Sequence, residues 1–254
     1  MTPFVRFAVQ GPVARITLDR PPLNILTTAM MRDLAELLDR HGSAPEVRVV
    51  RLDAVGKAFC AGVDVGEHEG AALTPMMDAL RGLFDALARV QVPTVSLAHG
   101  AALGGGSELV LGTDVCLASE RASFGQPEVR LGLFAPPASA LLPRISGERR
   151  ALALLLTGET VSASEAQAIG IVHRIFPEST FQEDADAWID RLLTLSGSAL
   201  RMVKRAVLTT RGLRAEEALD AVDRLYREEL MQTEDAREGL RAFLEKRPPA
   251  WKHR

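Results

Sequence analysis

The run Gly104-Gly105-Gly106 constrains the fold of this chain more than any other stretch. It follows a strand-like run, Thr94-Val-Ser-Leu-Ala-His99, and precedes Ser107-Glu-Leu-Val-Leu111, which reads as the start of a helix. Three residues without a Cβ let the backbone come close to a ligand. The amides at a helix start have no intrahelical acceptor and sit at the positive end of the dipole. Such a junction can hold an anion or a developing oxyanion. Glu108 lies one turn from it, and Phe124-Gly-Gln-Pro-Glu128 brings a second carboxylate twenty residues later. Two carboxylates beside an oxyanion site suggest acid–base chemistry on a carbonyl compound.

The totals limit the classes open to the chain. Its 254 residues, 47% of them hydrophobic, suit one large domain or one domain with a helical appendix. A formal charge of −3 argues against general nucleic-acid binding while leaving room for a local basic pocket. Cys60 and Cys116 lie far apart, form no metal-spaced set and read as reduced thiols of a cytoplasmic protein. No basic-then-apolar leader and no run of 18 apolar residues is present, so neither export nor a membrane partner is expected.

Taken in order, the chain alternates strands and helices. Phe4–Val9 and Val13–Leu18 read as strands joined at Gln10-Gly11-Pro12, and Pro21-Pro22 marks a loop. Thr27 or Thr28 caps a helix reaching about Arg40, and Val47–Leu52 is a strand. Residues 56–64 form a second glycine-punctuated turn, with a short helix beginning near Val63 or Asp64. Residues 66–74 read as a mobile loop and 75–90 as an amphipathic helix. Short strands follow at 114–118 and 122–124. Beyond residue 145 helices are expected at 147–157, 162–169, 180–195, 197–212, 214–231 and 233–246, interrupted by a strand at 170–176. Repeated strand–helix–strand units indicate α/β with parallel pairing.

Five segments in the right order carry a resemblance. Arg20-Pro with Asn24, Lys57-Ala-Phe-Cys-Ala-Gly-Val-Asp64, Ala101-Ala-Leu-Gly-Gly-Gly-Ser-Glu108, Phe124-Gly-Gln-Pro-Glu128 and Phe243-Leu-Glu-Lys-Arg247 resemble the crotonase superfamily, the enoyl-CoA hydratase/isomerase group. The resemblance implies a crotonase-like α/β spiral of β-β-α turns over residues 1–195. It implies a helical C-terminal region, 196–254, used in trimer assembly, with trimers that commonly pair into hexamers. The implied ligand is a coenzyme A thioester, so CoA is part of the substrate and no metal or redox cofactor is needed. By position the thioester oxygen would meet the amides of Val63 and Gly105. Leu23, Ala61, Asp64, Val65, Gly104 and Lys246 would contact the substrate, Lys246 by reaching the nucleotide of a neighbouring subunit's ligand.

Hydratases of this group usually carry glutamates at both positions held here by Glu108 and Glu128, whereas isomerases often keep one. The pair therefore favours reversible addition of water to an enoyl-CoA. A double-bond isomerase and a non-catalytic acyl-CoA-binding protein are the alternatives. After the second glutamate the chain departs from the common hydratase pattern. Phe134-Ala-Pro-Pro-Ala-Ser-Ala-Leu-Leu-Pro143, Gly66-Glu-His68 and Asp235–Lys246 resemble the cyclohexa-1,5-diene-1-carbonyl-CoA hydratases. Pro136 and Pro137 are expected to stiffen a wall beside Glu128. Phe59-Cys-Ala-Gly62 keeps the ordinary hydratase form, so linear and cyclic acyl groups both stay open. Of the histidines, His68 stands on a segment that could cover the substrate. The basic cluster Arg201, Lys204 and Arg205 reads as a solvated helix face or a neighbour of the CoA phosphates.

Overall fold

The computed structural model describes residues 2–254. Val5–Gln10 (β1) and Val13–Leu18 (β2) form the expected antiparallel hairpin. Thr27 caps the helix Thr28–His41 (α1), accepting from the Met30 amide, and Met30, Met31, Leu34, Leu37 and Leu38 form its buried stripe. Val49–Ala54 (β3) is buried along nearly its whole length, as suits a strand covered on both faces. Two 3-10 turns, Val65–His68 and Gly70–Ala72, lead into Leu73–Arg89 (α2). The stretch read as a loop, 66–74, is thus helical turns. Asp64 caps the first of them by accepting from the Gly66 amide at 3.1 Å.

Thr94–Ala98 (β4) is followed by a short strand that periodicity did not show, Ala101–Leu103 (β5). Gly105–Gly112 (α3) begins two residues before the expected Ser107. Val115–Ser119 (β6), Ser123–Gly125 (β7) and a 3-10 turn at Pro127–Leu131 precede Pro136–Ser146 (α4), a helix that its prolines had hidden. Glu148–Thr157 (α5) leads to Thr160–Ser162 (β8), also unexpected, then to Ala163–Ala168 (α6) and Arg174–Phe176 (β9), which is shorter than the 170–176 expected. Phe181–Leu193 (α7), Gly197–Thr209 (α8), Ala215–Arg224 (α9) and Glu234–Leu244 (α10) complete the chain. Between α9 and α10 the helix widens to a π turn at Leu225–Glu229 and tightens again at Leu230–Gln232.

The main sheet has strand order β1-β2-β3-β4-β6-β9, parallel after the first hairpin. A second sheet, β5-β7-β8, pairs β5 with β7 in parallel and β7 with β8 antiparallel. The strands supplying β4 and β5, then β6 and β7, alternate between the two sheets, and this alternation makes the spiral. On β2 and β3 the sheet carries a buried polar cluster rather than an apolar row. Asp53 accepts from Thr17 at 2.5 Å and from Arg51 at 2.8 Å, and Arg51 continues to Gln182 and Asp186 on α7.

Two units divide the chain. One holds the residues up to Val90 and Thr94–Asp186, and the other holds Gln91–Pro93 with Ala187–Arg254. The first contains both sheets and nearly all the large buried apolar side chains, Phe59, Phe124, Ile16 and Leu97 among them. The second is helical and leaves Leu219, Leu240, Phe243 and Leu244 exposed. No helix among the described residues is long and apolar enough to cross a membrane.

Candidate active site

The site is built where the segment 58–64 packs against β5 and the start of α3. Cys60 donates its amide to the Ala101 carbonyl and accepts from the Leu103 amide of β5, and Leu26 bridges to Val63. Each glycine of the triplet is required by a different neighbour. A Cβ on Gly106 would lie 2.0 Å from the Cys60 carbonyl oxygen, and on Gly105 it would lie 2.5 Å from Val63 Cγ2. On Gly104 it would lie 2.5 Å from Glu128 Oε1, and Gly104 also has φ 51°, where a side chain is strained. The triplet therefore serves close packing of α3 against the 60–63 backbone and leaves room for a carboxylate.

The two expected oxyanion donors come together. The ideal Cβ position of Gly105 is 3.4 Å from the Val63 nitrogen, so the two peptide groups are neighbours. Gly105 is the first residue of α3, and its amide has no intrahelical acceptor. The Leu26 bridge uses the Gly62 carbonyl and the Asp64 amide, which leaves the Val63 amide outside that ladder. Such a pair of amides can receive an oxygen that gains charge.

Glu108 is 2% exposed and accepts one hydrogen bond, from the Ala138 amide to Oε1 at 3.0 Å. This contact explains the double proline. Pro136 and Pro137 occupy the first two positions of α4 and carry no N–H. Ala138 therefore bears the first free amide of the helix, and that amide goes to Glu108. The prolines thus leave the Ala138 amide as the helix donor that reaches Glu108. Burial pushes the Glu108 carboxyl up to about 8; the Ala138 amide opposes the rise and the neighbouring Glu128 adds to it. The Glu128 carboxyl is also raised, chiefly by burial, against the pull of its own amide and of His68. Its Oε2 is buried without a hydrogen-bond partner among the described residues. Two carboxyls that hold protons unusually tightly, beside paired amides, can exchange protons with a bound carbonyl compound.

The expected substrate strip is partly assembled. Leu23 and Ala61 are joined by an amide-to-carbonyl bond of 2.9 Å, and Leu23 and Val65 are exposed. Asp64 pairs with Arg20 at 3.7 Å. Asn24, from the same segment, is fully buried with φ 53°, and its amide donates to the Val55 and Ala58 carbonyls. It is a clip that holds the Arg20–Asn24 loop against residues 55–58. Lys246 lies two residues beyond the end of α10 in the helical unit, with φ 53°. Arg201, Lys204 and Arg205 bond to the His253 carbonyl, the Val92 carbonyl and Glu229, so all three serve their own unit. The Ala138 amide had no separate signal in the sequence. His68 did, and its Nδ1 lies 2.9 Å from the Asp64 carbonyl oxygen, which fixes the ring on the turn that follows Val63.

The fold and this pairing of amides and carboxylates define a class, and comparison with known proteins agrees. The family model for enoyl-CoA hydratase/isomerase matches residues 8–254. The chain is 39% identical over 249 residues to the cyclohexa-1,5-dienecarbonyl-CoA hydratase of Thauera aromatica, covering 96% of this chain and 94% of that protein. It is 38% identical over 248 residues to a probable enoyl-CoA hydratase of Mycobacterium tuberculosis, covering 95% of each. A crystal structure of enoyl-CoA hydratase from Mycobacterium smegmatis superposes with a TM-score of 0.93 at 30% identity, over 98% of this chain and 99% of that one. The protein belongs to the enoyl-CoA hydratase/isomerase family, within the crotonase superfamily.

Proposed function

We propose that the protein is a hydratase that adds water reversibly across the conjugated double bond of an enoyl- or cyclic dienoyl-CoA thioester. The observation that supports this best is the placement of two carboxyls, the buried Glu108 and the half-buried Glu128, in one site with both pushed above the ordinary range. Glu108, at about 8, keeps its proton near neutrality, as a proton donor must. The pair titrates as a unit. In the forward direction the water oxygen bonds to the β-carbon and a proton is delivered to the α-carbon. The enolate formed between these events rests on the Val63 and Gly105 amides. Loss of one such donor raises a barrier by roughly 3–4 kcal/mol. The thioester acidifies the α-carbon, so the reaction calls for no separate cofactor. Leu23, Ala61, Asp64, Val65 and Gly104 would line the acyl-CoA path, and Lys246 would serve it from a neighbouring subunit.

The substrate class is argued from the Thauera aromatica relative and from Phe134–Pro143, whose Ala138 amide donates to Glu108. A cyclic dienoyl thioester is one expected substrate and a linear enoyl thioester the other. A cytoplasmic homotrimer or hexamer is the expected setting, supported by the exposed apolar side chains of the helical unit. The test is product mass after incubation with crotonyl-CoA, a longer 2-enoyl-CoA, a 3-enoyl-CoA and cyclohexa-1,5-diene-1-carbonyl-CoA. Gain of one water on the cyclic compound alone assigns the cyclic substrate, and gain on the linear ones assigns a general hydratase. Shift of the double bond in the 3-enoyl compound without mass gain would replace hydration by isomerisation.

A further inference from the structure

His68 ends the 3-10 turn Val65–His68, which begins two residues after Val63, and several contacts hold that turn still. The Asp64 side chain accepts from the Gly66 amide at 3.1 Å. The Glu67 carboxylate reaches the start of α1 and accepts from the Thr28 amide at 2.7 Å and the Thr28 hydroxyl at 2.6 Å. The Asp64 carbonyl accepts from the Glu67 amide at 3.1 Å and meets His68 Nδ1 at 2.9 Å. The half-buried imidazole is therefore held in one orientation.

A carbonyl oxygen only accepts, so Nδ1 keeps its proton and Nε2 is the nitrogen that gains and loses one. Nε2 accepts when the ring is neutral and donates when it is charged. The group it can serve stands on another loop. Glu128 Oε1 lies 2.5 Å from the ideal Cβ position of Gly104, and that point is 3.6 Å from Gly62 Cα. The carboxyl is thus beside the 62–64 strip from which the His68 turn hangs. Its Oε2 is buried without a partner among the described residues. Burial raises the Glu128 carboxyl, and its own amide and His68 oppose the rise. The other charged groups around the turn have their own places. Asp64 pairs with Arg20, Glu67 is bonded to Thr28, and Arg81 of α2 pairs with Asp85. Glu69 and Asp78 are exposed, and Glu108 lies buried beyond Glu128.

We propose that His68 is a positioning residue for Glu128: its Nε2 and the unpartnered Glu128 Oε2 share one proton, and this pairing holds the carboxyl in register with the amides of Val63 and Gly105. One turn then sets both the Val63 donor and the carboxyl that works beside it. The consequence for the rate rests on the hydratase reading, whereas the pairing does not.

His68→Asn and His68→Gln separate the two ring nitrogens, because an Asn amide falls near the Nδ1 position and a Gln amide near Nε2. Each is read by kcat and KM across pH on the thioester that wild type accepts, alone and combined with Glu128→Gln. Imidazole nitrogen NMR compares wild type with Glu128→Gln. His68→Asn should lower kcat about tenfold with KM within about twofold of wild type. It should also move the acid limb of the profile to higher pH, since the carboxyl loses the group that favours its charged form. His68→Gln should recover most of the rate. Added to Glu128→Gln, His68→Asn should lower kcat by less than about twofold more, because one side chain acts through the other. The Nε2 resonance should move on Glu128→Gln while the Nδ1 resonance stays that of a protonated nitrogen. The reverse ranking, with Asn near wild type and Gln impaired, assigns His68 to holding its turn and overturns the proposal. Independent losses in the double variant overturn it as well. If wild type hydrates no thioester, the proposed function fails, and the NMR comparison still decides the pairing: an Nε2 resonance indifferent to Glu128→Gln refutes it.

Discussion

Two of the buried carboxylates in this molecule are treated in opposite ways. Glu108 lies in the sheet-containing unit and Asp235 in the helical unit, and each is only 2% exposed. Asp235 accepts from the hydroxyls of Ser196 and Ser198 at 2.5 and 3.2 Å and from the amides of Lys252 and His253 at 2.6 and 3.0 Å. Burial tends to raise its carboxyl, but these hydrogen bonds win and hold it below the usual range. Glu108 receives a single amide, and burial wins. The difference lies in how many donors the fold brings to the group. A fully satisfied buried carboxylate is a structural knot that draws α8, α10 and the C-terminal tail together. An under-satisfied one retains capacity to bind and release a proton.

Removing each carboxylate should break the comparison most sharply. Glu108→Gln and Glu128→Gln are each expected to lower turnover by about 10²–10⁴-fold, with circular dichroism and CoA binding preserved. Near-wild-type turnover in either variant would sink the paired mechanism. Asp235→Ala should do the reverse, leaving kcat near wild type at low temperature. It should reduce stability by roughly 3 kcal/mol or more, because several charge-assisted hydrogen bonds are lost at once. Denaturant unfolding measures this, and an unchanged midpoint would deny Asp235 its role as a knot.

The pH dependence sharpens the contrast further. Glu108 binds its proton more tightly when folded. It therefore contributes stability that is complete below about 4.5 and is lost as pH rises through about 8. Asp235 has a lowered folded value, so its contribution is present above about 3.8 and is lost as pH falls. Glu108→Gln should accordingly outlast wild type in thermal melts above pH 8 by roughly a few kcal/mol, with the gap closing toward pH 5. A gap independent of pH would show that Glu108 is not the titrating group.

A smaller effect separates the glycines of the triplet. Gly106→Ala meets the Cys60 backbone and should destabilise by roughly 1–3 kcal/mol or more. Gly105→Ala meets the Val63 side chain and lies 3.4 Å from its nitrogen, so it should cost less stability than Gly106→Ala while losing about tenfold or more in kcat as the Val63 amide is displaced. Melting curves and steady-state rates on the two variants distinguish packing from catalysis.

Much of this was legible in the residues. The β1–β2 hairpin, α1 with its Thr27 cap, α2 and the run of C-terminal helices follow from period, caps and turn residues, all local properties. Val63, Gly105, Glu108 and Glu128 stand out because ordered motifs carry them, and the structure brings these residues to one junction. Strands β5 and β8 escaped notice because three residues carry too little alternation to read. Helix α4 escaped because its two leading prolines look like a loop until the helix behind them is seen.

By itself the sequence determined which elements form and which chemical groups were available, since both depend on neighbours within a turn or two. Tertiary structure alone decided what those groups became. It brought the Ala138 amide to Glu108 across thirty positions of sequence, left Glu128 Oε2 and the Gln126 amide without partners, and gave Asp235 its full set of donors from α8 and the chain end. The physical reason is that the proton affinity of a buried carboxylate is set by desolvation and by the number of donors in reach, and both are properties of packing between distant segments.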